Sequence, residues 1–242
     1  MTHPLAAEMA PTGTLRCAIN VGNFLLVTGK TDSGDPVGVA PTLAAALAEH
    51  LGVPLKLIPY ATPGELADAS AEDNWDVGFV GAEPARATYV NFTAAYCEIE
   101  ATYMVPEGSP FQSCDEVDAA GVNIAVSARA AYDLWLERNI KHAEVHRVSG
   151  LDASFDLFVE KKMDALAGLR PKLIDDVKKL PGARLLDGQF TAVQQASCTK
   201  KSRDAGFKML VEFIEERKAN GYVQSLIEKF GVTGRLSVAP PA

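Results

Sequence analysis

The side chain best suited to chemistry is Arg86, because of what leads up to it. Trp75-Asp76-Val77-Gly78-Phe79-Val80-Gly81 contains a short apolar run that reads as a buried strand bounded by glycine. Glu83-Pro84-Ala85-Arg86 follows, and Pro84 suits the first position of a helix. Its fixed φ is already helical, and its missing N–H would have had no partner there. Arg86 is therefore expected in the first turn of a helix leaving the carboxyl end of a strand. Open α/β sheets bind ligands at that end, close to backbone amides that favour anions. A guanidinium adds a planar fork matched to a carboxylate. Position alone is equally compatible with a surface arginine on a short helix. A second stretch, Met163-Asp164-Ala165-Leu166-Ala167-Gly168-Leu169-Arg170-Pro171, echoes the first. In both, an aspartate leads an apolar strand that ends in glycine, and arginine and proline start the next element.

The elements that must position these residues alternate. Leu15 to Ile19 reads as a strand running into a polar loop at Asn20, Gly22 and Asn23, and Phe24-Leu25-Leu26-Val27 as a further extended segment. Thr31-Asp32-Ser33-Gly34-Asp35 has turn composition. Leu43, Leu47 and Leu51 recur every four residues in a helix that starts near Pro41 and stops at Gly52. A strand from Leu55 to Ile58 and a short helix over Pro63 to Ser70 lead to the Trp75 stretch, and the helix carrying Arg86 is expected to reach Asn91-Phe92-Thr93. Ile99 to Val105 alternates as a longer strand, and Pro106, Gly108 and Pro110 mark a boundary. The second half repeats the outline: strand Val122 to Val126, helix Ala130 to Arg138, strand Glu144 to Val148, a helix with Phe155, Leu157 and Phe158, then the Asp164 stretch. An extended run from Phe190 to Thr199, two amphipathic helices broken at Asn220-Gly221, and a loosely held tail from Thr233 complete the chain. Strands alternating with helices imply α/β architecture with parallel sheets, and the internal echo implies two lobes of similar build.

With 242 residues the chain could form one large domain or two lobes. A net charge of −8 without a basic block argues against nucleic acid or a membrane surface as a general partner, so any anion must be held by a few local arginines. No apolar run is long enough to span a bilayer. Cys17, Cys97, Cys114 and Cys198 lie far apart without metal-ligand spacing and read as small buried hydrophobes, although a Cys97–Cys114 bridge is open in an oxidising compartment. Of His3, His50, His142 and His146 only the last two are close, so no metal is expected, and no cofactor. Residues 1–14 lack a basic segment followed by an apolar one, so they are not a signal peptide. The expectation is a removed secretion signal or a cytoplasmic protein.

The chain resembles a known family: bacterial extracellular solute-binding proteins of the polar amino-acid type, the partners of ABC importers. The resemblance runs through Thr14-Leu15-Arg16, Pro36-Val37-Gly38-Val39, Leu51-Gly52-Val53, Trp75-Asp76-Val77-Gly78, Glu83-Pro84-Ala85-Arg86-Ala87 and Asn91-Phe92-Thr93-Ala94-Ala95-Tyr96. It ends in Asn220-Gly221-Tyr222 and Lys229-Phe230-Gly231. It implies a periplasmic-binding-protein-like α/β fold of type II. Residues 1–104 and 196–242 would form one lobe, residues 105–195 the other, and crossing strands near 102–106 and 193–197 the hinge. It also implies a ligand held between the lobes, a membrane permease as partner, a periplasmic location and a monomer. The arginine matching Arg86 grips the ligand carboxylate in this family.

The departures bear on the ligand. The family usually has Ser or Thr where this chain has Gly81. It usually has an aspartate for the ligand ammonium where this chain has Leu169. Its Gln-Gly-Thr-Thr turn is replaced by Ser127-Ala128-Arg129-Ala130-Ala131-Tyr132, and its covering aromatic aligns with Asn23, beside Phe24. A leucine cannot neutralise an ammonium, and a buried unpaired cation is expensive. The changes remove a carboxylate and add Arg129 and Arg170, so the expected ligand carries one or two carboxylates and no free α-ammonium, unless Glu83 supplies the missing charge. The ligand-binding candidates are Arg86, Gly81, Glu83, Phe79, Asn20, Asn23, Phe24, Ser127, Arg129, Leu169 and Arg170, with Gln194-Gln195 as further amides. Trp135, three residues after Tyr132, reads as core. No catalysis is expected. The rivals are a dehydratase of the kind acting on prephenate or arogenate, with Glu83 as acid, and a ligand-sensing domain. Arg86 beside Glu83 weakens the first, because a cation disfavours the raised pKa an acid needs.

Overall fold

In the computed structural model, which describes residues 2–242, the chain runs through twenty labelled elements. The first half holds α1 (Ala6–Met9), β1 (Leu15–Asn20), β2 (Gly29–Lys30), β3 (Pro36–Val37), α2 (Val39–Leu51), β4 (Leu55–Tyr60), α3 (Pro63–Asp68), β5 (Val77–Gly81) and β6 (Val90–Val105). Next come β7 (Asn123–Ser127), α4 (Ala131–Asn139), β8 (Glu144–Val148), α5 (Leu151–Glu160), β9 (Ala165–Leu169) and α6 (Arg170–Asp176). The chain ends with β10 (Arg184–Leu185), β11 (Thr191–Lys200), α7 (Asp204–Ala219), α8 (Tyr222–Lys229) and β12 (Ser237–Val238). It divides into two compact units: one of residues up to Glu98 together with Gln194–Ala242, the other Ile99–Val193. Strands β6 and β11 each carry the chain from one unit to the other.

In the first unit β1 lies between β4 and β5, parallel to both, and β11 pairs antiparallel with β5. The leucines of α2 (Leu43, Leu47, Leu51) are fully buried, as their four-residue spacing requires. Gly52 ends the helix in the left-handed conformation, its N–H returning to the carbonyls of Ala48 and Glu49. One face of the sheet packs Ala18, Val80 and Cys198 against Leu66, Trp75 and Val90. The second unit repeats the plan. β7 lies between β8 and β9, parallel to both, and β6 pairs antiparallel with β9. Its core gathers Met104, Ala125, Phe158, Met163, Leu166 and Leu173.

The aspartates that open the echoed stretches explain the echo. Asp76 N–H donates to the Arg16 carbonyl at 2.8 Å, and its carboxylate accepts from Arg16 N–H at 2.9 Å. Asp164 does the same to Asn123, at 3.0 and 2.8 Å. Each aspartate thus clamps the start of the neighbouring parallel strand and sets its register.

Three local expectations are corrected, and one open alternative, the Cys97–Cys114 bridge, is not formed. The helix expected at Pro84 is one 3₁₀ turn, Pro84–Arg86, and β6 begins at Val90. Val90, Phe92 and Thr93 are β-branched or aromatic, and a pleated strand accommodates them better than a helix. Phe24 to Val27 forms turns rather than a strand, because Asn23 Oδ1 accepts from the N–H groups of Leu25 (3.2 Å) and Leu26 (3.3 Å). The tail is docked: Ser237 and Val238 pair with Glu98 and Cys97, and Leu236 and Ala239 are buried. All four cysteines are free thiols, and Cys97 and Cys114 belong to different units.

Candidate functional site

Strand β5 delivers the chain to Gly81, and Pro84 turns it back so that Arg86 folds over the strand's own end. The Arg86 side chain is 6% exposed, and its Nη1 donates to the Gly81 carbonyl at 2.6 Å. A surface arginine would keep its head in water; this one is drawn inward and fixed. Opposite Gly81 on β11 stands Gln195, itself buried, and Ala82 N–H donates to the Gln194 carbonyl at 2.7 Å. Asn20 ends β1, the parallel neighbour of β5, so Asn20 and Gly81 occupy carboxyl ends of adjacent strands. Asn20 Oδ1 accepts from Gly22 N–H at 3.2 Å. Glu83 is half-buried immediately before the turn.

Other first-unit candidates make contacts within their own unit. Asn23 is buried with its oxygen committed to the turn it forms. Phe24 is half-buried, with the Arg235 guanidinium 5.4 Å from its ring. Phe79 points into the core, edge-on to Tyr96 at 6.1 Å.

In the second unit Ser127 and Leu169 end the parallel strands β7 and β9, and both are buried. Arg129 is exposed and holds a left-handed φ of 60°, a conformation disfavoured for a residue with a side chain. Asp133, a residue the sequence reading did not single out, keeps it there. Its Oδ2 accepts from Arg129 N–H at 2.7 Å and its Oδ1 from Arg147 Nε at 2.8 Å. An acid in the first turn of α4, four residues after Arg129, was the available signal. Arg170 forms an ion pair with Glu100 at 2.6 Å and also donates to the Gly188 carbonyl. Phe190 stacks at 4.5 Å on Tyr103 and 5.3 Å from half-buried Trp135, an aromatic cluster spacing alone did not reveal.

A buried charge network lies away from these strand ends. Asp76 is fully buried, which would raise its pKa, but hydrogen bonds from Arg16 and Arg203 outweigh this and hold it below the usual carboxylate range. Among the described residues no group of three or more His, Cys, Asp or Glu is placed to hold a metal, and no helix is long and apolar enough to cross a membrane.

Two α/β units, each a βαβαβ frame with candidate polar groups at its strand ends, are the architecture of periplasmic binding proteins. Residues 21–233 match the family described as bacterial extracellular solute-binding proteins, family 3. The chain belongs to that family. Among curated proteins it is similar to the cyclohexadienyl dehydratase of Pseudomonas aeruginosa, 27% identical over 140 residues, which are 55% of this chain and 51% of that protein. The chain thus spans about half the length of the curated relative it matches. Among solved structures it resembles a binding component of an ABC transporter from Wolinella succinogenes complexed with lysine (TM-score 0.75, 20% identity, 92% of this chain and 97% of that one). It also resembles AncCDT-1, an ancestral amino acid-binding protein described as a precursor of cyclohexadienyl dehydratase (TM-score 0.73, 20% identity, 93% and 98%). At such identities the likeness shows the fold alone.

Proposed function

We propose that this protein is the solute-capturing component of an ABC importer, working outside the cytoplasmic membrane, and that it binds a small carboxylate lacking a free α-ammonium. The observation that carries the reading is the buried Arg86 guanidinium, fixed to Gly81 at the carboxyl end of β5. A guanidinium held out of water grips a carboxylate through charge-assisted hydrogen bonds, and removing one partner of such a contact costs roughly 2–5 kcal/mol. Leu169 supports the second half. It is buried and apolar where the family resemblance places the ammonium's aspartate, and it offers an ammonium no counter-charge.

A thermal-shift screen over α-amino acids, keto acids, hydroxy acids and dicarboxylates tests this. An acid without an ammonium should raise the melting temperature, increasingly with the logarithm of its concentration. Arg86→Lys keeps the charge but not the fork and should abolish the rise. Tight binding of common α-amino acids by the wild type would refute the ligand class, and Leu169→Asp should create such binding. The dehydratase relative motivates a second reading, an enzyme with Glu83 as acid. Product formed on incubation with prephenate would establish it in place of the first.

A further inference from the structure

We propose that Gln195 is a specificity-determining contact for that ligand, its side-chain oxygen accepting a hydrogen bond from a neutral O–H or N–H the ligand carries near its carboxylate. The inference rests on Arg86 as the carboxylate anchor. Gln195 is 4% exposed, and its Oε1 is buried with no hydrogen-bond partner among the described residues. Leaving a buried acceptor unsatisfied costs its full desolvation, so natural proteins rarely keep one without a use. Other buried polar atoms share the condition, but their settings differ. Trp75 Nε1 sits in the apolar core cluster, while Ser197 Oγ and Tyr96 OH belong to residues with no exposure at all. Gln195 alone among these is directly opposite Gly81, the residue to which Arg86 is anchored. Side chains opposite each other on paired strands share a face, and glycine contributes none, so space beside Gly81 falls to the Gln195 amide.

The donor it meets is neutral. An amide oxygen carries no net charge and cannot compensate an ammonium. A hydroxyl or an amide N–H satisfies Oε1 without bringing a charge that must be buried.

Matched pairs test the inference: malate against succinate and lactate against propionate for O–H, and N-acetylglycine against 4-oxopentanoate for N–H. Affinities are measured by calorimetry on wild type and Gln195→Met. In wild type the donor-bearing member of at least one pair should bind ~10-fold or more tighter, the increment of one buried hydrogen bond. Gln195→Met should bring the pair within about 2-fold of each other, a flattening expected when only this bond is lost. Ligand-free Gln195→Met should melt no lower than wild type, because it removes an unsatisfied buried amide. Equal affinities within every pair in wild type would overturn the proposal. So would a ratio that survives Gln195→Met, or a fall of several degrees in the ligand-free variant. If no acid binds wild type, or binding persists in Arg86→Lys, the carboxylate anchor itself is wrong and the inference falls with it.

Discussion

Replacing Asp76 by asparagine tests whether the paired aspartates of the two units carry unequal loads despite equal positions in the repeat. Asp76 accepts from Arg16 through the backbone N–H (2.9 Å), Nε (3.0 Å) and Nη2 (2.9 Å), and from Arg203 Nη2 (2.8 Å). Arg203 also reaches the carbonyls of Asp76 and Met9, and Thr199 Oγ1 donates to the Asp76 carbonyl, so α1, β1, β5 and β11 are tied together around Asp76 and Arg203. The asparagine would leave two largely buried guanidinium groups facing a neutral amide. Removing one partner of a buried ion pair costs roughly 3–5 kcal/mol. Arg16 keeps a second partner in exposed Asp73, which puts the expected loss near the lower end, about 3 kcal/mol. Asp164, by contrast, is met by Asn123 N–H at 2.8 Å and its side-chain amide at 3.3 Å, both neutral donors, so Asp164→Asn should cost only about 1 kcal/mol. The assay is urea unfolding followed by far-ultraviolet circular dichroism, which reports on both units, since Asp76 and Asp164 lie in different ones. A loss of about 3 kcal/mol moves the midpoint by roughly 1 M or more. The pH dependence has a defined sign. The Asp76 pKa is depressed on folding, so its contribution is full above the unfolded value near 4 and is lost as pH falls through the folded one. The gap between wild type and Asp76→Asn should therefore close in acid. An Asp76→Asn midpoint within the error of wild type, or shifted no further than that of Asp164→Asn, would refute the reasoning.

Other outcomes follow from burial. Burial raises the Cys17 and Cys97 thiols and pushes Cys198 up to about 12, whereas Cys114 is partly exposed, so a thiol reagent should titrate one cysteine in the native protein and four after denaturation. Gly38→Ala should destabilise by about 1–3 kcal/mol in chemical unfolding, because a Cβ there would lie 2.3 Å from the Leu26 carbonyl oxygen at a φ of 155°. Burial, then His3 and Arg217, lowers the His50 pKa, so its contribution is present above pH ~6.5 and lost as pH falls. The drop in melting temperature between pH 7.5 and 5.5, values chosen to bracket about pH 6.5, should shrink in His50→Gln.

Where side-chain pattern and backbone preference agreed, the sequence was readable. The leucine period of α2 with its Gly52 stop, the strand–helix alternation and the aspartate-led repeats all identify the α/β class. The errors arose where one local signal competed with another. Pro84 promises a helix start, but the residues from Val90 onward prefer a strand and cut it to a single 3₁₀ turn. Phe24 to Val27 is apolar enough for a strand, yet Asn23 captures the backbone N–H groups a strand would have paired. Tail docking depends on pairing with Glu98 and Cys97, more than a hundred residues away, which no local pattern encodes.

The two arginines that close the repeats show how the same motif can end in different chemistry. Both follow an aspartate-led strand and a glycine, and sequence gives little reason to choose between them. Proline order separates them. Pro84 precedes Arg86 and folds it back onto Gly81, whereas Pro171 follows Arg170, which instead opens α6. Arg170 then meets Glu100, a largely exposed carboxylate of its own unit, and the Gly188 carbonyl, so its charge is balanced internally at a site open to water. Exposed ion pairs of this kind contribute little beyond local positioning. A ligand carboxylate competing for Arg170 would have to displace Glu100 and would gain one solvated pair for another. Arg86 is buried and donates to the Gly81 carbonyl, in a setting where a guanidinium–carboxylate contact is strongest. Burial, rather than the shared motif, is what favours Arg86 over Arg170 as the proposed anchor for an acid.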